Sequence, residues 1–213
     1  MVGTITAEFL IEHLKTERIG KIIFDEVPAL VAIHQGKVVE PFGVFYNQKY
    51  NIVIFHAMTA PQGSEWRFAE IINDLASQTK AKEIICIEGV GSTSEDDASK
   101  SFYYTTNPSK EKELKKMGLE QMGEGIIMGI TSALLIQAKT PVSALFSETH
   151  SKLPDSKAAA KIIELLDAYL DLEVDFHPLL AMAEKFEKKL KTIMQQSKQA
   201  SEERDKKTLS YVG

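Results

Sequence analysis

The sequence predicts an α/β protein. Residues 1–194 read as one three-layer α/β/α domain with a mixed, mostly parallel sheet, closing on a long C-terminal helix, and 195–213 read as a polar, flexible tail. Two observations carry the sheet and one carries the tail. Asn51 to Phe55 is β-branched and apolar on both faces, as a central strand covered by helices on each side requires. Behind it Phe68, Ile72 and Leu75 repeat at helical spacing and lead into the apolar run Glu83 to Glu88. That order of strand, helix and strand implies a right-handed parallel crossover. Beyond Met194 the apolar spacing of the last helix turns polar, and Gln195 to Thr208 has too little apolar surface to hold itself down.

The elements follow in order. Thr6 is placed to cap a helix carrying Phe9, Leu10 and Leu14 on one side, and Lys21 to Phe24 is the first extended run. Leu30 to His34 and Lys37 to Glu40 flank Gln35-Gly36, and Val44 to Tyr46 and Asn51 to His56 flank a turn at Asn47 to Lys49. Two hairpins in succession result. Ser64 is the expected cap of the Phe68 helix. Gly89 to Lys100, rich in Gly, Ser and Asp, is a loop at a strand's carboxyl end, where α/β sheets place their sites. Phe102 to Thr105 is a short strand, and Ser109 to Met117 a charged helix stopped by Gly118. Ile126 to Ala138, apolar and rich in small residues, is expected to be a buried strand end running into a helix. Val142 to Phe146 is the final strand. Asp155 caps a helix with Ala159, Ile162, Leu166 and Tyr169 inward. The last helix starts near His177-Pro178 and carries a heptad seam, Leu179, Ala183, Phe186, Leu190 and Ile193, suited to packing or association.

Composition narrows the function. The chain has 213 residues, 44% hydrophobic and 26% charged, with a net charge of −5, whereas a nucleic-acid binder carries a basic excess. No run approaches the roughly 20 apolar residues of a membrane helix, and Met1 to Leu10 lacks the pattern of a secretory signal. A single cysteine, Cys86, sits in an apolar run, so no internal disulfide forms and a reducing, cytoplasmic setting fits.

The chemistry-bearing motifs are sparse. Gly123-Glu-Gly125 with Gly129 lacks the third glycine spacing of a dinucleotide loop, and small residues there let a helix approach a sheet. Neither Gly-Lys-Ser nor Gly-Lys-Thr occurs, so a phosphate-binding loop has no lysine and hydroxyl to act with. No Gly-x-Ser-x-Gly elbow is present. Of the five histidines, His13, His34, His56, His150 and His177, no two have the short helical spacing of a zinc pair. Glu95-Asp96-Asp97 lacks the glycine and closing glutamate of a calcium loop. No cofactor or metal is therefore expected. His56 and His150 both follow apolar strands, and with Glu88 they are the candidate acid-base groups of an enzymatic alternative.

Gly125-Ile-Ile-Met-Gly-Ile-Thr-Ser-Ala-Leu-Leu135, Val142-Ser-Ala-Leu-Phe-Ser-Glu-Thr149 and Leu153-Pro-Asp-Ser-Lys-Ala-Ala159 follow one another. This succession resembles the signature region of the proteasome assembly chaperone 2 family. Gly36 and Pro41 within Pro28 to Pro41, Cys86-Ile-Glu-Gly-Val90 and Leu170-Asp-Leu-Glu-Val-Asp175 extend the resemblance from about Val2 to the last helix. It implies a phosphorylase- or hydrolase-like α/β/α fold without that chemistry, homo-oligomeric rings, and proteasome core-particle α-subunits as partners, with archaeal relatives nearest. It also implies a docking tail that ends in a hydrophobic residue, a tyrosine and one further residue. Here Tyr211 is third from the end, in Leu209-Ser-Tyr-Val212-Gly213, one position out of that register. Relatives carry a strand and a glycine turn before the first helix, so a truncated start or a lost edge strand is expected.

The sequence thus points to a non-enzymatic chaperone-like protein that binds proteasome α-subunits and its own copies, and neither nucleic acid nor membrane. The alternatives are a nucleoside- or nucleotide-processing or ATP-dependent enzyme on the same fold, and a structural homo-oligomer joined through the Leu179 to Ile193 seam.

Overall fold

Helix α1 (Val2–His13) opens the computed structural model, which describes residues 2–23, 32–34, 37–39, 41–57, 63–91, 100–149 and 155–181. Val2, Thr6 and Leu10, four residues apart, form its buried stripe. Thr6 is therefore an interior residue and not a cap, because the helix begins a full turn earlier than the sequence suggests. Strand β1 (Glu17–Lys21) pairs antiparallel with β4 (Phe42–Asn47), which pairs antiparallel with β5 (Ile52–Ala57). The Lys21 to Phe24 run is displaced: the ladder to β4 uses the backbone of Glu17–Lys21, and Ile23 beyond it is exposed. A separate hairpin joins β2 (Ala32–His34) and β3 (Lys37–Val39), as the Gln35-Gly36 reading anticipates.

A second sheet has the order β6, β9, β7, β8, built from β6 (Ile84–Gly91), β7 (Ser101–Thr105), β8 (Glu120–Gln121) and β9 (Val142–Thr149). Strands β6 and β9 run parallel, with Ile84 opposite Val142 and Gly91 opposite Thr149. Strand β7 is antiparallel to β9 and parallel to β8. Among the described residues the mixed sheet expected from the sequence is present, but the expectation of a mostly parallel one is corrected: four pairings are antiparallel and two are parallel. The physical reason is loop length. Short connections such as Gln48 to Asn51 between β4 and β5 permit only antiparallel partners, while the parallel β6 and β9 are separated by two helices and two strands. The crossover expected from Asn51 to Glu88 is corrected too. Strand β5 terminates the β1-β4-β5 order, and the parallel partner of β6 is β9.

The helices are α2 (Glu65–Thr79), α3 (Pro108–Lys116), α4 (Ile130–Gln137) and α5 (Ser156–Leu170), with a helical stretch at 177–181. Asn107 caps α3 by accepting from Ser109 N–H, and Asp155 caps α5 by accepting from Ala158 N–H. Ser64 stands at the start of α2 without a side-chain capping bond.

Alternation along the strands sorts the apolar residues onto two faces. Ile52 and Ile54 of β5, Ile85 and Ile87 of β6, Tyr103 of β7 and Leu145 of β9 pack with α1 and α5. Ile84 and Cys86, Ala144 and Phe146 turn the other way, onto α2 and α4. Phe55 and Ala57 of β5 share that side, packing with Phe42 around Phe68 of α2. So β5 is apolar on both faces as read, even though its hydrogen bonds make it terminal. Each fully buried Phe, Leu or Ile contributes roughly 1.5–3 kcal/mol, and Phe68, Leu134, Leu145, Phe146 and Ile162 are all 2% exposed or less. Close approach also requires small residues. A Cβ on Gly3 of α1 would lie 2.8 Å from the Ile87 carbonyl oxygen, so the helix backbone rests directly on β6.

Candidate functional site

Strands β6 and β9 end together, and on their α2/α4 side a cleft of about 760 Å³ opens at this carboxyl edge. Its floor is Phe102 and Phe146, from adjacent strands in register. One wall is the irregular segment from Met122 to Met128, which connects β8 to α4. Ile127 in this segment packs against the core, while Ile126 and Met128 on either side are 92% and 79% exposed. Gly129 (φ +84°) then turns the chain into α4 through a conformation that strains any residue with a side chain. The expectation of a buried strand end here is corrected. Met122, Ile127 and Ile130 anchor the segment to the core, and its two largest apolar neighbours face water.

The charged side chains lining the cleft, among the described residues, are four carboxylates: Glu88, Glu120, Glu124 and Glu148. Glu88 is the innermost. Thr131, 4% exposed on α4, donates a 2.6 Å hydrogen bond to Glu88 Oε1. Burial raises the Glu88 carboxyl above the usual range, and the Thr131 hydroxyl offsets part of that rise. Beneath it, burial pushes the Cys86 thiol up to about 12, so at neutral pH this cysteine is a small hydrophobe. Glu148 accepts from the Lys100 backbone N–H at 3.1 Å and so fixes the start of β7 at the rim.

The enzymatic constellation is not assembled from His56 and Glu88. His56 is 5% exposed on β5 and faces α1, its Nε2 3.8 Å from a Glu8 oxygen and without a hydrogen-bond partner. Burial pushes its pKa below the ordinary value, with the Glu8 charge opposing. Glu88 faces α4 on the opposite side of the sheet layer. His150 lies outside the described residues. Among those residues no group of three His, Cys, Asp or Glu is placed to hold a metal, and no helix is long and apolar enough to cross a membrane.

Of the seam, Leu179 is 5% exposed and packs into the α1/α5 core, so here it is an internal contact. Ala183, Phe186, Leu190 and Ile193 lie outside the described residues, as do Leu209, Tyr211, Val212 and Gly213. The loop expected from Gly89 to Lys100 begins later, because β6 stays paired to β9 through Gly91; Gly89 to Gly91 line the cleft as the end of that strand, and 92–99 lie outside the described residues. Ile126 and Met128 were missed. The signal for them was available: three apolar residues bracketed by Gly125 and Gly129 form a segment too interrupted to hold a ladder.

The model of the PAC2 family matches residues 1–194. An archaeal homolog of proteasome-assembly chaperone, PbaA of Pyrococcus furiosus, is 27% identical with a TM-score of 0.82, over 97% of this chain and 87% of its own. PbaB of the same organism, an archaeal proteasome activator, shares the fold at 20% identity and a TM-score of 0.76, over 91% of this chain and 88% of its own. An uncharacterised protein of Methanocaldococcus jannaschii is 24% identical over 199 residues, 92% of this chain and 82% of its own length.

Proposed function

The chain belongs to the PAC2 family, and on that premise we propose that it is a non-enzymatic, chaperone-like protein that binds proteasome core-particle α-subunits and assists proteasome assembly. The observation that carries the reading is the pair Ile126 and Met128, 92% and 79% exposed beside a cleft rather than packed. Large exposed apolar side chains next to a concave surface mark a protein-contact site. The likeness to PbaA supports the class of partner.

Several finer statements belong to the same reading. Helices α1 and α5 on one side and α2 and α4 on the other support a three-layer α/β/α domain over 1–194, with 195–213 as a tail. The protein acts in the cytoplasm as a homo-oligomer, and the tail residues Leu209, Tyr211, Val212 and Gly213 add a second contact to the α-subunit. The rival, an enzyme acting on nucleosides or nucleotides, draws on His56, Glu88 and His150; His56 and Glu88 face opposite sides, and His150 lies outside the described residues.

Capture of purified core-particle α-subunits by the immobilised full chain tests the proposal. The wild-type chain retains them, and the double substitution I126D/M128D lowers retention by at least about ten-fold, the size expected for losing two central apolar anchors. Deleting 209–213 lowers it further if the tail docks. Failure of the wild-type chain to retain α-subunits, or retention indifferent to both changes, rejects the reading.

A further inference from the structure

The described surface holds its negative charge in two ways. Glu70, Glu111, Glu113, Glu164 and Glu173 each stand 2.6–2.9 Å from a lysine or arginine nitrogen of the same chain. The cleft differs: among the described residues no lysine or arginine lines it, and Glu120 and Glu124 are exposed there beside Ile126 and Met128. Carboxylates gathered around an apolar floor, Phe102 and Phe146, create a potential that a partner's cations neutralise. The strands indicate the form of that partner. Strand β8 ends the order β6, β9, β7, β8, and both its residues, Glu120 and Gln121, are exposed and line the cleft. A terminal strand accepts an extended segment, whose side chains alternate between two faces.

We propose that the cleft takes an extended segment of a partner protein in which lysine or arginine alternates with large apolar residues. The cations meet Glu120, Glu124 and Glu148, and the apolar side chains settle on Phe102 and Phe146 and against Ile126 and Met128. This rests on the proposed function's reading of the cleft as a protein-contact site, and adds the chemistry of what is recognised.

Three short labelled peptides, in which leucine alternates with lysine, glutamine or glutamate, are titrated with the full-length chain and followed by anisotropy. The lysine peptide binds at least about ten-fold more tightly than the glutamine peptide, and its affinity falls with salt. E120Q/E124Q/E148Q brings it to the affinity of the glutamine peptide, and E120K/E124K reverses the preference in favour of glutamate. I126S/M128S weakens the lysine peptide by at least about ten-fold. Urea midpoints check that each variant is folded. Equal affinity for the lysine and glutamine peptides, or lysine-peptide binding indifferent to the glutamate or the apolar changes, overturns the proposal. Displacement of the lysine peptide by spermidine at matched charge overturns it too, because it assigns the cleft to a small polycation.

The E120Q/E124Q/E148Q chain also separates this inference from the proposed function. It retains purified α-subunits less well than wild type, with a shallower salt dependence. Retention unchanged by these substitutions overturns the basic-segment inference and leaves the proposed function standing. No retention by the wild-type chain, together with lysine-peptide binding, rejects the α-subunit as partner and upholds the chemistry of the cleft.

Discussion

Thr131 Oγ1 on α4 donates a 2.6 Å hydrogen bond to Glu88 Oε1 on β6, and this one contact ties the helix behind the cleft to the strand beneath it. Thr131→Val keeps the shape and removes the donor. A typical intramolecular hydrogen bond contributes about 0.5–1.5 kcal/mol, so the variant loses stability of at least that order, measured by urea unfolding. An unchanged midpoint excludes the bond as a structural tie.

Glu88 also makes stability depend on pH. Its folded pKa is raised, so the folded state holds the proton more tightly than the unfolded chain. The contribution is therefore complete below the ordinary glutamate value of 4.5 and is lost as pH rises through the folded pKa. Glu88→Gln, which keeps the acceptor and cannot ionise, is expected to be more stable than wild type at pH 7 and to lose this advantage near pH 4. A difference of the same size at both values refutes the assignment.

His56 has the opposite sign. Its folded pKa lies below 6.5, so the unfolded chain takes up a proton first, and stability falls as pH drops through 6.5 towards the folded value. Denaturant midpoints between pH 8 and pH 5 should decline for the wild-type chain and decline less for His56→Leu. Parallel curves for the two would place the titration elsewhere.

Tyr169 on α5 donates to Glu83 at the amino end of the sheet, with its hydroxyl 2.9 and 3.0 Å from the two carboxylate oxygens, and Ser143 donates to the same carboxylate. Burial and the adjacent Glu83 charge push the phenol up to about 12, so it remains a donor throughout the working range. Tyr169→Phe is expected to cost about 1.5–3 kcal/mol, seen as a lower unfolding midpoint without change in near-native helix content. Wild-type stability in this variant would show that Ser143 alone satisfies Glu83.

Gly3 is the point where α1 touches β6. Because a Cβ there would stand 2.8 Å from the backbone oxygen of Ile87, which has no rotamer to escape through, Gly3→Ala must lift the helix. Overpacking of this kind costs about 1–3 kcal/mol. A Gly3→Ala chain as stable as wild type would mean that the helix moves freely on the sheet.

Much of the fold was legible in local patterns. The charged helix read at Ser109 to Met117 forms as α3, and Asp155, read as a cap, starts α5 with a capping bond, whereas the Asn107 cap of α3 came only from the structure. Ala159, Ile162, Leu166 and Tyr169 repeat every three to four residues, and all four are buried. These features are set within a turn or two of chain, so the residues themselves carry them. The family was legible for a related reason, since the succession of short motifs from Gly125 to Ala159 lies inside the 1–194 match. What the sequence could not decide is which strands pair. The partner of β6 is β9, more than 50 positions along in register, Ile84 against Val142, and periodicity says nothing about a neighbour that distant.

The candidate site divides along the same line. From the residues alone came the apolar strand that carries Glu88, the glycines around Ile126 to Met128, and a polypeptide without a nucleophile elbow or phosphate loop. Tertiary structure decided that His56 and Glu88 face opposite sides, because alternation along each strand is fixed but the face that a helix covers depends on packing. It decided as well that Ile126 and Met128 stand in water while Ile127 is anchored, which turns an apolar stretch of sequence into a surface. Side-chain chemistry is a property of the chain, whereas proximity and exposure exist only once distant segments have chosen each other.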